Sequence, residues 1–163
     1  MRTLYHASPH KNLHVIKPQH TLSRDVYIGD YVFATANKKL AVMYLATKGL
    51  YTIMEAGKKP YIIIRSSPKS YMAHDMGGAI YELQSEGFTQ TPQAGLEQYE
   101  LVSKQVVKPL RKTIYGKSLD AMLAAGITIY FVTHKTLDQL LSCDEVAKML
   151  PDLVPYDQQN SVE

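Results

Sequence analysis

The sequence predicts a mixed α+β domain, with strands predominating in the middle of the chain and helices added at the sides. Three observations carry that prediction. Short β-branched and aromatic runs, such as Tyr31-Val32-Phe33-Ala34-Thr35 and Tyr61-Ile62-Ile63-Ile64-Arg65, have the composition and length of strands. Two stretches place apolar residues at helical spacing: Leu40, Ala41, Tyr44 and Leu45 with Lys48, and Leu137, Leu140, Leu141, Val146, Met149 and Leu150. Gly, Pro, Asn and Asp punctuate the segments between them. A chain of 163 residues, 45% hydrophobic and 20% charged, is long enough to bury a core without staples. The expected organisation is one domain over residues 1–150 and a polar tail over residues 151–163, with no repeat and no interdomain linker.

The elements follow in order. Leu4 and Tyr5 begin a short strand, which Ser8-Pro9 turns off, so His6 falls at a strand end where a side chain can face a cleft. Taken alone, such a histidine is as readily a hydrogen-bonded structural residue. Residues 11–30 are polar and weakly periodic and predict a long loop, with one short element near residues 13–16. Arg24, its one guanidinium, is a candidate phosphate contact or a solvated charge. After the strand at residues 31–35, Asn37 is a natural helix N-cap and Gly49 a natural C-cap. Tyr44 lies on the buried face of that helix, where core packing with the phenol at the rim is the plain account. Residues 50–54 prolong the helix or form a turn, and residues 66–70 read as a loop.

Further along, residues 61–65 read as a buried central strand and residues 79–83 as another. Residues 98–102 and 104–109 predict two more strands. In the first of these, alternation places Glu100 in a strand interior, where acidic residues are depleted. Pairing with a lysine at a sheet edge is the plain account of it. A short helix over residues 118–125, capped by Ser118 and ended by Gly126, leads into a final strand over residues 127–132. Residues 133–150 predict an amphipathic helix, broken near Ser142-Cys143-Asp144 and stopped by Pro151, with Asp144 and Lys148 as an i,i+4 pair. Residues 157–163 are polar enough to fray.

Composition narrows the chemistry. A formal charge of +3 is mild: compatible with nucleic acid or a phosphate-bearing ligand, but demanding neither. The single cysteine, Cys143, excludes an intramolecular disulfide and a cysteine-based zinc site, and a reducing cytoplasm is the simplest expected location. No secretory signal pattern opens the chain, and no apolar run is long enough to span a bilayer. There is no P-loop, dinucleotide-binding glycine turn or zinc-binding helix, and the six histidines lack ligand spacing, so no metal is expected. Twelve tyrosines against three phenylalanines and no tryptophan suit half-wet surfaces and clefts.

His6, Tyr44 and Glu100, taken with Tyr5-His6-Ala7-Ser8, Val32-Phe33-Ala34-Thr35 and the run from Glu100 to Pro109, resemble the ADP-ribosyltransferase superfold. The resemblance covers residues 4–109 and is to the branch carrying a His-Tyr-Glu triad, the diphtheria-toxin and poly-ADP-ribose-polymerase side, and within it to small prokaryotic members. It implies a split antiparallel β-sandwich with flanking helices, and an enzyme that uses NAD as substrate and transfers ADP-ribose to an acceptor with release of nicotinamide. It further implies that His6 hydrogen-bonds a ribose hydroxyl, that the backbone at Ala7 binds the nicotinamide amide and that Tyr44 stacks on the nicotinamide. Glu100 would be the catalytic carboxylate, stabilising the oxocarbenium-like state, with Ser8 and Thr35 as secondary contacts. Two positions depart from the pattern. Ala7 stands where glycine is common, and Gln98 replaces the second acidic residue of arginine-modifying members, which disfavours arginine as acceptor. The acceptor (protein, nucleic acid or small molecule) is open. Two alternatives accompany this expectation: a non-catalytic nucleotide- or partner-binding module, and RNA 2′-phosphotransferase chemistry, for which Arg24, Arg65 and Arg111 are loose candidates.

Overall fold

The computed structural model describes residues 1–47 and 50–159. The protein is α+β and divides into two compact units, Met1–Leu45 with Gly78–Tyr115 and Ala46–Gly77 with Gly116–Glu163. Numbered along the chain, the first unit holds β1 (Thr3–Ser8), β2 (Gln19–Ser23), β3 (Val26–Ala34), α1 (Lys38–Met43), β6 (Gly78–Gln84), β7 (Thr89–Gln90), β8 (Leu101–Ser103) and β9 (Arg111–Tyr115). The second holds β4 (Tyr51–Glu55), β5 (Tyr61–Arg65), α2 (Pro68–His74), α3 (Ser118–Ala124), β10 (Thr128–Val132), α4 (His134–Leu141) and α5 (Tyr156–Gln159). Among the described residues no helix is long and apolar enough to cross a membrane.

Two antiparallel sheets build the first unit, in the orders β1-β6-β9 and β2-β3-β8-β7. They are joined where Tyr5 and Thr35 exchange backbone hydrogen bonds of 2.8 and 2.9 Å. Alternation does the packing. Leu4, directly opposite Leu83, and Val32 and Ala34 of β3 enter one buried cluster with Ala79 and Tyr81. The buried Tyr81 hydroxyl donates to the His10 carbonyl at 2.6 Å and accepts from the Leu13 N–H at 2.9 Å, pinning the chain just after β1. At Gly78 a Cβ would lie 2.5 Å from the Ser8 carbonyl oxygen, so the strand pair closes only around glycine there.

Residues 11–30, expected as a loop, contain β2 and the start of β3. Their two-residue turn places Arg24 and Asp25 at φ 49° and 64°, a left-handed pair usually announced by Asn-Gly or Asp-Gly, and no such signal stands in the sequence. Residues 98–102 are not a strand throughout. The Glu100 N–H donates to the Leu96 carbonyl at 3.0 Å in a helical turn, and pairing begins only at Leu101. In place of a strand over residues 104–109 there is one bridge, Ile16 with Val107, and the strand is β9.

In the second unit β5 runs parallel to β10 and antiparallel to β4. Ile62, Ile63 and Ile64 are all fully buried, as a strand covered on both faces requires. Of residues 50–54, Leu50 is in a turn and the rest belong to β4, not to a helix. Residues 66–70 are a helix start instead of a loop: the Ser67 hydroxyl accepts from the Ser70 N–H at 3.1 Å and Pro68 occupies the first turn. The helix expected over residues 133–150 ends at Leu141 and resumes as two 3-10 turns, Val146–Lys148 and Leu150–Asp152. Lys148 pairs with Glu145 at 3.1 Å, not with Asp144. Beyond Pro151 the ring of Tyr156 is buried edge-on against Phe131, 5.3 Å between centroids. The helix expected to end at Gly49 ends in fact at Met43, with Tyr44 at its C-cap; Lys48 and Gly49, and the last four residues of the expected fraying end, lie outside the described residues.

Asp75 organises this unit. Helix α3 has no side-chain cap of its own, and the buried Asp75 carboxylate supplies one, accepting from Ser118 N–H at 2.8 Å, Leu119 N–H at 2.9 Å and Gly77 N–H at 3.0 Å. Asp75→Ala strands these donors in the interior and should lower stability by about 2 kcal/mol or more in chemical denaturation, whereas Asp75→Asn, which keeps an acceptor oxygen, should lose less.

Candidate functional site

His6, Ala7, Ser8, Thr35, Tyr44 and Glu100 all belong to the first unit, whereas Arg65 belongs to the second. Asn37 caps α1 through its side-chain oxygen, which accepts from Lys39 and Leu40 N–H at 3.0 and 3.3 Å. The cap fixes where the helix starts, and Tyr44 follows its last turn. There the Tyr44 hydroxyl donates to Glu100 Oε1 at 2.9 Å, across 56 residues of sequence. The other carboxylate oxygen, Oε2, is buried and has no hydrogen-bond partner. Burial raises the Glu100 pKa above the usual carboxylate range, and the Tyr44 hydrogen bond works against that rise.

Glu100 lines a cavity of about 520 Å³ together with Thr35, Asn37, Arg2, Lys38 and Glu97. Thr35 is buried; its backbone holds Tyr5 and its hydroxyl accepts from the Asn37 N–H at 3.1 Å, so it links sheet to helix cap. Arg2 and Lys38 were not singled out by the sequence. Both are exposed charges, and only the fold brings them to the cavity that Glu100 lines; Lys38 sits 5.8 Å from the centre of the Tyr5 ring.

His6 is half-buried and lines a second cavity of about 260 Å³, with Lys17, His20 and Tyr31 among its walls, and it is not among the residues lining the first. Its Nδ1 lies 2.6 Å from the Phe33 carbonyl oxygen. A carbonyl only accepts, so Nδ1 carries the proton and Nε2 is left as an acceptor. Burial lowers the His6 pKa, the Phe33 hydrogen bond opposing it, and the ring is favoured in that neutral form. Alternation places His6 on the Leu4 face of β1 and Tyr5 on the other. Ala7 is two residues beyond Tyr5, so its N–H and C=O point to the edge where Tyr5 meets Thr35 and past which β3 diverges. Ser8 is buried and its hydroxyl accepts from the His10 N–H at 3.1 Å, a turn-closing role. The fold thus joins Tyr44 to Glu100, sets Thr35 beside them, and gives His6 a separate opening.

Chemically, this is a carboxyl group whose ionisation is costly, held by one phenol and short of one hydrogen bond, on a cavity that two cations also line. It can stabilise positive charge that develops beside it or accept a hydroxyl proton. No group of three or more His, Cys, Asp and Glu suited to a metal occurs among the described residues. Comparison with protein-family models, curated proteins and solved structures gave no match.

The raised Glu100 pKa makes a pH prediction. The folded state holds the proton more tightly than the unfolded chain, so stability falls as pH rises from about 4.5 through the raised value. Thermal denaturation of Glu100→Gln, which cannot ionise, should therefore show a Tm above wild type at pH 7 and a gap that closes towards pH 4.5. A gap independent of pH would mean that Glu100 does not ionise across this range.

Proposed function

We propose that this protein is an ADP-ribosyltransferase-like enzyme that binds NAD, cleaves the bond between C1′ of its ribose and nicotinamide, and transfers ADP-ribose to an acceptor. The observation that carries the reading is the Tyr44–Glu100 pair, a carboxylate with one oxygen held at 2.9 Å and the other buried without a partner. A buried acceptor that lacks a donor costs stability, and sites keep such costs where a ligand group completes the arrangement. A ribose 2′-hydroxyl is the donor the resemblance supplies. The split β-sandwich it implies is part of the same proposal, supported by the antiparallel sheets of the first unit.

The step balances simply. The C1′–N bond breaks with its electron pair leaving on nicotinamide, the acceptor's oxygen or nitrogen bonds to C1′, and the acceptor's proton passes to Glu100 or to water. Glu100 faces a positive charge that exists only near the transition state, so its effect falls on turnover. His6 Nε2, neutral and accepting, suits a ribose hydroxyl; the Ala7 amide edge suits the nicotinamide carboxamide. Tyr44 serves in this geometry through its hydroxyl, orienting Glu100, beside any stacking role of its ring.

The separate opening of His6 favours a second reading, a module of the same fold that binds a nucleotide without catalysis. Calorimetry with NAD alongside nicotinamide detection separates the two. Glu100→Gln should lose nicotinamide release about 10²–10³-fold while keeping NAD affinity. Tyr44→Phe should lower turnover less and move the acid limb of the pH–rate profile upward, because the hydrogen bond that favours the ionised carboxylate is gone. NAD binding with no release in wild type supports the module, and unimpaired release by Glu100→Gln removes this carboxylate from the chemistry.

A further inference from the structure

Positive charge is unevenly distributed along the chain. Ten of the 18 Lys and Arg but six of the 15 Asp and Glu belong to the first unit, so it is cationic while the second is slightly acidic. Between Glu100 and Asp120 there is no acidic residue and there are five cations. The fold gathers this stretch against another basic one. Ile16 and Val107 exchange backbone hydrogen bonds of 2.8 and 2.9 Å, which sets the exposed Lys17 beside the segment carrying the exposed Lys104 and Lys108. Lys112 donates to the Lys11 carbonyl at 3.1 Å and to Asn12 Oδ1 at 2.8 Å, both neutral oxygens, so its charge stays uncompensated. Among the described residues, the ion pairs involve His20, His134 and Lys148, and none of these lysines is neutralised. Arg111 stands opposite Glu82 in the β6–β9 ladder and is set aside for that reason.

We infer that this face of the first unit, formed by Lys11, Lys17, Lys104, Lys108 and Lys112, is a docking surface for the phosphate backbone of a single-stranded nucleic acid. The surface stands by itself; naming the nucleic acid as acceptor of ADP-ribose rests on the transferase reading. Two observations favour a nucleic acid over an anionic membrane. The cations sit on loops and at the start of a sheet-edge strand, with no amphipathic helix to sink into lipid. Aromatic rings also lie beside them: Lys104 is 5.8 Å from the centre of the Tyr31 ring, and Lys17, Tyr31 and His20 line one cavity, whose rings are faces on which bases can stack. Lys104 is four residues from Glu100, at most roughly 14 Å along extended chain, about two nucleotides of a single strand.

Fluorescence anisotropy of a labelled 20-nucleotide single strand, in RNA and DNA arms, tests this without NAD. Release of three to five counterions predicts a log–log salt slope of about −2 to −3.5. K104E/K108E should weaken binding at least about tenfold with an unchanged circular dichroism spectrum, and K58E/K59E on the second unit should leave it unchanged. Absence of binding at 100 µM strand in ~0.1 M salt, equal loss in both double variants, or capture by phosphatidylserine vesicles with no affinity for either strand overturns the docking surface. Glu100→Gln should keep the wild-type affinity, so loss of nicotinamide release there with binding intact tests the chemistry separately. Release from NAD in a protein that binds no strand leaves the transferase reading standing and refutes the nucleic-acid acceptor.

Discussion

The first unit depends on the pair of hydrogen bonds between Tyr5 and Thr35. Each of its two sheets satisfies its own ladders, and this bridge joins the strand bearing His6 to the strand that leads into α1. Beyond it β1 and β3 part, and two consequences follow from that divergence. The His6 ring turns to the Phe33 carbonyl, which fixes its tautomer. On the other side, Thr35 hands the chain to the Asn37 cap, and the start of the helix decides where Tyr44 arrives.

What arrives there is costly. A carboxyl group with a buried, unpartnered oxygen is a feature that stability alone would remove, since an apolar side chain leaves no polar atom unpaired there. Under the proposed transferase reading, stability and use pull in opposite directions at Glu100. Asp75 is the contrast. It is also a buried carboxylate, but its two oxygens meet three backbone N–H groups and it holds α3 in place. The two carboxylates thus differ in that Asp75 has partners for both oxygens and Glu100 for one.

Charge adds a second layer. Part of the first unit's positive charge is split in sequence between residues 11–17 and 104–112, and the Ile16–Val107 bridge brings these two segments side by side. A net charge of +3 conceals this, because the second unit cancels part of the excess.

Strand composition at residues 31–35 and 61–65, the cap at Asn37 and the break near Ser142 were all legible in the sequence, because each is a local preference of backbone and side chain. The β2–β3 hairpin was not legible, since its left-handed turn residues are Arg and Asp, nor was β4, whose pairing with β5 outweighs the helical pattern before it. The meeting of Tyr44 with Glu100, the opening of His6 onto another cavity, the capping of α3 by Asp75 and the company of Arg2 and Lys38 are contacts between residues far apart in the chain. Spacing in a sequence specifies local geometry, but distant contacts are set by which sheets pair and which faces are buried, and that was decided by the tertiary structure alone.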